Sequence, residues 1–86
     1  MVVKIKKNIA ISESGFVFNP STGDSFTLNT IGAEILRMLA SGKDMDAVSE
    51  FIVGTYDVEK SVFERYFLDF ISMLRQFQIL EEDDER

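Results

Sequence analysis

The chain has no cysteine, no histidine and a single proline among its 86 residues. Without cysteine, disulfides, thiolate metal sites and thiol nucleophiles are excluded, and folding needs no oxidising compartment. Without histidine, the commonest general base and the commonest metal ligand are missing as well. Eighty-six residues make one domain with a modest core, too small for a deep enclosed active site. We therefore expect the protein to function by binding a partner on its surface.

Long apolar runs are also missing. The first twelve residues, MVVKIKKNIAIS, contain lysines but lack the continuous apolar stretch of a signal peptide. No segment approaches the roughly 20 apolar residues that cross a membrane. The 45% hydrophobic content and the eight phenylalanines indicate a globular core. The sequence predicts a soluble, cytoplasmic protein with no membrane partner.

Acidic residues outnumber basic ones: the chain has fifteen aspartates and glutamates and nine lysines and arginines, which gives a net charge of −6. The last six residues, EEDDER, account for −4, which leaves −2 for residues 1–80. We expect a single domain over residues 1–80 and a solvated acidic tail over residues 81–86. A phosphate backbone requires clustered basic residues, and only Lys4, Lys6 and Lys7 cluster. No nucleic acid partner is expected.

Alternating side chains predict three strands in the first third of the chain. The first covers residues 3–12, with a break expected near Lys7–Asn8. The second, FVFN, ends at Pro20, because proline cannot donate a hydrogen bond to a β-ladder. A turn, PSTGD, leads into the third strand, SFTLN, which places Phe26 and Leu28 on one face. The last two strands form a β-hairpin.

Helical spacing of apolar residues predicts three helices after the hairpin. The first begins at an N-cap of Asn29 or Thr30 and ends at Gly42, which suits a left-handed cap. The second is capped by Asp44 and ends near Gly54, and TYDV connects it to the next helix. Its buried stripe is predicted to comprise Val48, Phe51 and Ile52.

The third helix is the longest and runs from about Glu59 to about Phe77, after which Ile79–Leu80 should fold back onto the core. Three strands are thus followed by three helices. This order predicts an α+β domain of winged-helix-like architecture, with a three-stranded antiparallel sheet placed first.

The apolar face of the third helix is wide. At about 100° per residue, its middle is occupied by Phe63, Phe67, Phe70, Leu74 and Phe77. Val62, Tyr66 and Met73 lie along one margin, with Asp69 just beyond them. This margin either packs under the sheet or against the first helix, or it forms the wall of an exposed groove. If the third strand is a sheet edge beside this helix, a peptide could add to it as a fourth strand, with side chains directed toward the margin.

The pattern G-x-x-x-x-L-N-x-x-G-x-x-I-L-x-x-L-x-x-G-K, Gly23–Lys43, resembles the PqqD-like family. Its members are the peptide-binding recognition elements of pathways that make ribosomally synthesised, post-translationally modified peptides. The likeness continues with Y-x-V at Tyr56–Val58 and with F-h-x-x-L at Phe70–Leu74, where h is apolar. It closes with the apolar pair Ile79–Leu80 and covers roughly residues 5–80.

The resemblance implies a non-catalytic adaptor that captures the leader of a precursor peptide between the third strand and the third helix. It also implies delivery of that peptide to a modifying enzyme, often a radical S-adenosylmethionine enzyme. Independently of the resemblance, we expect no cofactor and no metal site. Carried over by position, the strand contacts fall on Asp24, Ser25, Phe26 and Thr27, mostly through the backbone. The helix contacts fall on Val62, Arg65, Tyr66, Asp69 and Met73.

Two residues depart from the family's pattern. Members often carry an acidic residue where Tyr66 stands, so a polar contact of the family is expected to be absent here. Members usually carry glycine where Gln78 stands, and glutamine in a left-handed helix cap would cost free energy. The third helix is therefore expected to end differently.

Three other functions compete with peptide capture. An enzyme is the weakest, because no Asp, Glu, Ser, Tyr or Lys falls into a nucleophile–base constellation. A winged-helix DNA-binding regulator would need base-reaching polar or basic residues, yet the second helix, DMDAVSEFIVG, has no basic residue. A docking module or weak homodimer without a leader peptide stays open. It would bury the margin of the third helix, which peptide capture leaves exposed in the monomer.

Overall fold

The computed structural model describes residues 3–81, so the predicted acidic tail lies outside the described residues except for Glu81. Strands come first and helices follow. The strands are β1 (Ala10–Ile11), β2 (Phe16–Asn19) and β3 (Asp24–Thr27), and the helices are α1 (Thr30–Ala40), α2 (Met45–Tyr56) and α3 (Lys60–Gln76). The strands form one antiparallel sheet in the order β1-β2-β3, so β3 lies at an edge. The predicted α+β, winged-helix-like architecture is confirmed.

The break predicted near Lys7–Asn8 is present as a turn, and β1 is consequently only two residues long. The segment before the turn pairs elsewhere. Ile5 forms an antiparallel bridge with Leu80, and the backbone N–H of Lys6 donates to the carbonyl of Ile79 at 2.9 Å. Ile79 is fully buried, so the closing apolar pair does fold back onto the core.

The core lies between the inner face of the sheet and the three helices. Its buried side chains come chiefly from α1 and α3: Ile35, Leu36, Leu39, Phe63, Phe67, Phe70, Ile71 and Leu74. Val17 of β2 joins them from the sheet. Complete burial of one such side chain contributes about 1.5–3 kcal/mol, so this cluster holds α3 against the sheet.

The predicted burial of Phe51 is wrong, because this side chain is 41% exposed on α2. Val48 and Ile52 are buried as predicted, and Ser49 is buried beside them. The buried face of α2 is thus centred on the Ser49 side, roughly 120° around the helix from Phe51 at about 100° per residue. The helical spacing of apolar residues alone does not reveal which side of the apolar stripe on α2 faces the core.

The helix starts follow the predicted caps. The Asn29 side chain accepts a hydrogen bond from the Gly32 N–H at 2.7 Å, and the Asp44 side chain accepts one from the Ala47 N–H at 2.9 Å. At the other end of α1, Gly42 has a φ of 97°, as a left-handed cap requires. The first helix therefore has the boundaries that its sequence predicts.

The second helix ends at Tyr56, near Gly54 as predicted, but Thr55 and Tyr56 of the predicted connection TYDV belong to the helix. It stops where Asp57 takes a left-handed φ of 56°. The Tyr56 hydroxyl donates a hydrogen bond to Glu34 Oε1 at 2.8 Å, which ties the last turn of α2 to α1. This bond, with partial burial and the charge of Glu34, raises the pKa of Tyr56 above its ordinary value.

The third helix ends in a left-handed cap despite its glutamine, so the expectation of a different ending is wrong. Gln78 has a φ of 60°. The Ile79 N–H donates to the Leu74 carbonyl at 2.9 Å, and the Gln78 N–H donates to the Arg75 carbonyl at 3.1 Å. These two bonds form a Schellman motif. Burial of Ile79 against the core offsets the cost of a left-handed glutamine.

Because a side chain in this conformation costs roughly 1–2 kcal/mol, we expect Gln78→Gly to raise the free energy of unfolding by about 1 kcal/mol. Gln76→Gly is the matched control, since it makes the same change in the right-handed last turn of α3. It should lower stability by about 0.5–1 kcal/mol. Urea denaturation of the two variants checks this, and equal destabilisation by both would contradict it.

Candidate functional site

The outer edge of β3 carries free backbone groups. The Leu28 N–H donates to the Gly15 carbonyl at 2.8 Å, just beyond the last strand pair, Phe16 with Thr27. Directly opposed residues in an antiparallel ladder alternate between bonded and non-bonded pairs. The N–H and C=O groups of Thr27, and by the same alternation those of Ser25, therefore point away from β2. In the described part of the chain, no strand pairs with this side of β3.

We call the surface strip between β3 with the start of α1 on one side and α3 on the other the groove. At one end the rings of Phe26 and Phe77 pack together, with centroids 4.8 Å apart. Further along, a Cβ on Gly32 would stand 3.4 Å from the Phe70 ring and 3.1 Å from Asn29 Oδ1, so the start of α1 passes close to α3. The Phe70 ring in turn stacks on Tyr66 at 6.1 Å between centroids.

The other end of the groove opens into an apolar pocket of about 170 Å³. It is lined by residues of all three helices, of the α1 N-cap and of the loop before α3: Asn29, Ile31, Ile52, Val58, Val62, Phe63 and Tyr66. Six of these seven side chains are apolar or aromatic, which suits an apolar side chain of a ligand. Only Val62 and Tyr66 were among the residues predicted from sequence. Asn29, Ile31, Ile52 and Val58 reach the pocket through the packing of the helices.

The structure brings part of the predicted helix set to the groove. Val62 and Tyr66 are 48% and 38% exposed, so this part of the margin is open rather than packed under the sheet. Met73 is half-buried and packs against the core. Arg65 and Asp69 are exposed, and their helical positions place them outside the margin, at its solvent rim.

The residues of β3 that were predicted to contact the peptide lie on two different faces of the sheet. Ser25 and Thr27 have exposed side chains on the outer face of the sheet, whereas Phe26 points inward and is half-buried. Asp24 is exposed at the turn, where its N–H donates to Thr22 Oγ1 at 3.2 Å. Backbone contacts from Ser25 and Thr27 would therefore leave the side chain of Phe26 free to pack against α3.

Residues 3–81 hold no cluster of three or more carboxylate, thiol or imidazole side chains placed to bind a metal ion. Within the same range, no helix combines the length and apolarity needed to cross a bilayer. A wide depression beside α2 is lined partly by Asp46 and Glu50, with Lys60 as its one basic residue. That acidic surface opposes binding of a nucleic acid backbone.

Residues 15–80 match the family described as coenzyme PQQ synthesis protein D (PqqD), and the chain belongs to this family. A solved structure of TbiB1 in complex with the TbiA(beta) leader peptide is 26% identical, with a TM-score of 0.83 over 95% of this chain and 99% of that chain. A lasso peptide synthetase B1 complexed with its leader peptide is 20% identical, with a TM-score of 0.81 over 95% and 100% of the two chains. No curated protein matches significantly.

Proposed function

We propose that the chain is a non-catalytic adaptor that captures the leader of a precursor peptide by β-strand addition and presents it to a modifying enzyme. The observation that carries this proposal is the open edge of β3 beside an exposed apolar groove. Unpaired edge groups can template an added strand. Both similar solved structures contain a leader peptide, which supports the same kind of ligand here.

In this arrangement the strand edge and the helix wall have different roles. Backbone hydrogen bonds to Ser25 and Thr27 would supply affinity for any extended peptide, and pockets would supply selectivity. The pocket containing Val62 and Tyr66 would accept one apolar side chain of the leader. The full proposed contact set is Asp24, Ser25, Phe26, Thr27, Val62, Arg65, Tyr66, Asp69 and Met73.

The chemistry would belong to the partner enzyme, because the adaptor contributes only binding and positioning. A radical S-adenosylmethionine enzyme is one such partner, and an enzyme that acts on lasso precursors is another. We assign the binding domain to residues 1–80 and a solvated tail to residues 81–86. The working compartment proposed is the cytoplasm, where precursor peptides are synthesised.

An NMR titration of the isotope-labelled chain with the leader of the precursor peptide encoded beside its gene tests this function. Shift changes should concentrate at Asp24–Thr27 and along Val62–Met73. A well-dispersed spectrum that does not change at near-millimolar peptide would contradict the proposal, since affinity would then be weaker than about −4 kcal/mol. Concentration-dependent shifts of α3 without peptide would instead indicate a homodimer, and shifts with duplex DNA a regulator.

A further inference from the structure

The outer face of the sheet carries two exposed phenylalanines. Phe16 and Phe18 are 45% and 38% exposed, and they project from the same face of β2 because they alternate along the strand. Their neighbours across the sheet are small. Ala10 lies opposite Phe18 on β1, while Ser25 and Thr27 lie opposite Phe18 and Phe16 on β3. Both rings therefore border a lane of short side chains that leads to the open edge.

We propose that this face is a second specificity surface for the captured peptide. Side chains of the added strand that point away from α3 would pack against Phe16 and Phe18, across the short side chains of Ser25 and Thr27. This inference rests on the proposed strand addition at β3. It assigns to the leader two large apolar or aromatic residues, separated by one position.

The register of the sheet aligns residues of an added strand with Phe16 and Phe18 across β3. A residue that pairs with Ser25 would stand on the same face as Ser25, in line with Phe18, and a residue that pairs with Thr27 would stand in line with Phe16. Strands lie about 4.8 Å apart, so the added strand would be roughly 10 Å from β2. Two large side chains that lean toward each other can close this gap, since aromatic contacts form at centroid distances of about 4.5–7 Å.

The leader is the occupant favoured by continuity with the proposed binding edge. Ser25 and Thr27 offer their backbone groups to the added strand, and their side chains form the lane between that strand and the phenylalanines. Successive residues of a strand point to opposite faces. Alternate leader residues would thus meet the groove along α3, and the residues between them would meet Phe16 and Phe18.

The test is a set of double-mutant cycles measured by isothermal titration calorimetry. Phe16→Ala and Phe18→Ala are each combined with an alanine scan of the leader of the precursor peptide encoded beside the gene. Each phenylalanine substitution should weaken binding about two- to tenfold, the range expected for an aromatic contact. The effect should vanish when one particular leader residue is alanine, and the residues next to it should couple to Tyr66 instead.

Phe51→Ala is the matched control, because Phe51 is similarly exposed, at 41%, but lies on α2. It should leave binding unchanged. If alanine at position 18 lowers the melting temperature, Phe18→Thr replaces it, since threonine favours strands.

Wild-type affinity of both phenylalanine variants for every peptide would overturn the inference and leave the proposed function standing. Unchanged affinity with impaired processing by the partner enzyme would also overturn it, in favour of enzyme docking. Absence of wild-type binding would overturn both proposals.

Discussion

Thr27→Pro is expected to weaken leader-peptide binding more than about tenfold while the domain remains folded. The substitution removes the outward N–H of β3, and the proline ring takes the space of the donor. A lost backbone hydrogen bond with an acceptor left unpaired costs about 1–3 kcal/mol. The fold should survive, because proline is tolerated on an edge strand when its position makes no ladder bond.

The hydrogen bonds of β2 support this orientation. Phe16, the residue opposite Thr27, accepts a hydrogen bond at its carbonyl from the Ser12 N–H at 2.9 Å. The backbone hydrogen-bonding groups of Phe16 thus point toward β1 and not toward β3. Proline at position 27 would then break no bond between β2 and β3, and circular dichroism should show an unchanged thermal transition.

The matched control is Thr27→Ala, which removes the same side chain but keeps the N–H. Fluorescence anisotropy with a labelled leader should give an affinity close to wild type for Thr27→Ala and a large loss for Thr27→Pro. Equal affinity of the two variants would refute strand addition at β3. The peptide would then have to bind through side chains alone.

Local signals in the sequence were sufficient for most of the element boundaries. Pro20 ends β2, and Gly42 supplies a left-handed conformation. Asn29 and Asp44 cap their helices because their side chains accept hydrogen bonds from backbone N–H groups three residues further on. Each of these effects depends on neighbours in the chain, so it can be predicted without knowledge of the fold.

Features that depend on tertiary packing were not predictable in the same way. The pocket joins Ile31, Ile52 and Val58 from separate elements. Gln78 tolerates a left-handed φ because Ile79 is buried beyond it. In both cases the deciding contact lies far away in sequence or outweighs a local preference.

Asn19 is the clearest residue of this second kind, and Asn19→Ala is expected to lower the free energy of unfolding by about 2–4 kcal/mol. The side chain is fully buried. Its Nδ2 donates to the carbonyls of Phe77 and Gln78 at 3.1 and 3.2 Å, and its Oδ1 accepts from the Ser21 N–H at 3.0 Å. Alanine would remove all three of these part-buried hydrogen bonds.

This cluster of hydrogen bonds joins the hairpin to the end of α3. The same region holds the contact of Phe26 with Phe77, which closes one end of the groove. Loss of the Asn19 amide should therefore loosen the spacing between β3 and α3. We expect leader affinity to fall along with stability, even at temperatures where the variant is fully folded.

Two variants separate the hydrogen bonds from other effects in urea denaturation. Asn8→Ala removes an exposed amide that donates to Oγ of Ser21, in the turn between β2 and β3, at 2.9 Å, and it should change stability by less than about 0.5 kcal/mol. Asn19→Asp keeps the volume and the acceptor for Ser21, but at neutral pH it directs an anionic oxygen at two carbonyls. It should destabilise at least as much as alanine, because the buried carboxylate oxygen that replaces Nδ2 would face two carbonyls with no donor of its own. A loss for Asn19→Ala as small as that for Asn8→Ala would show that α3 and the hairpin are held together by the apolar core alone.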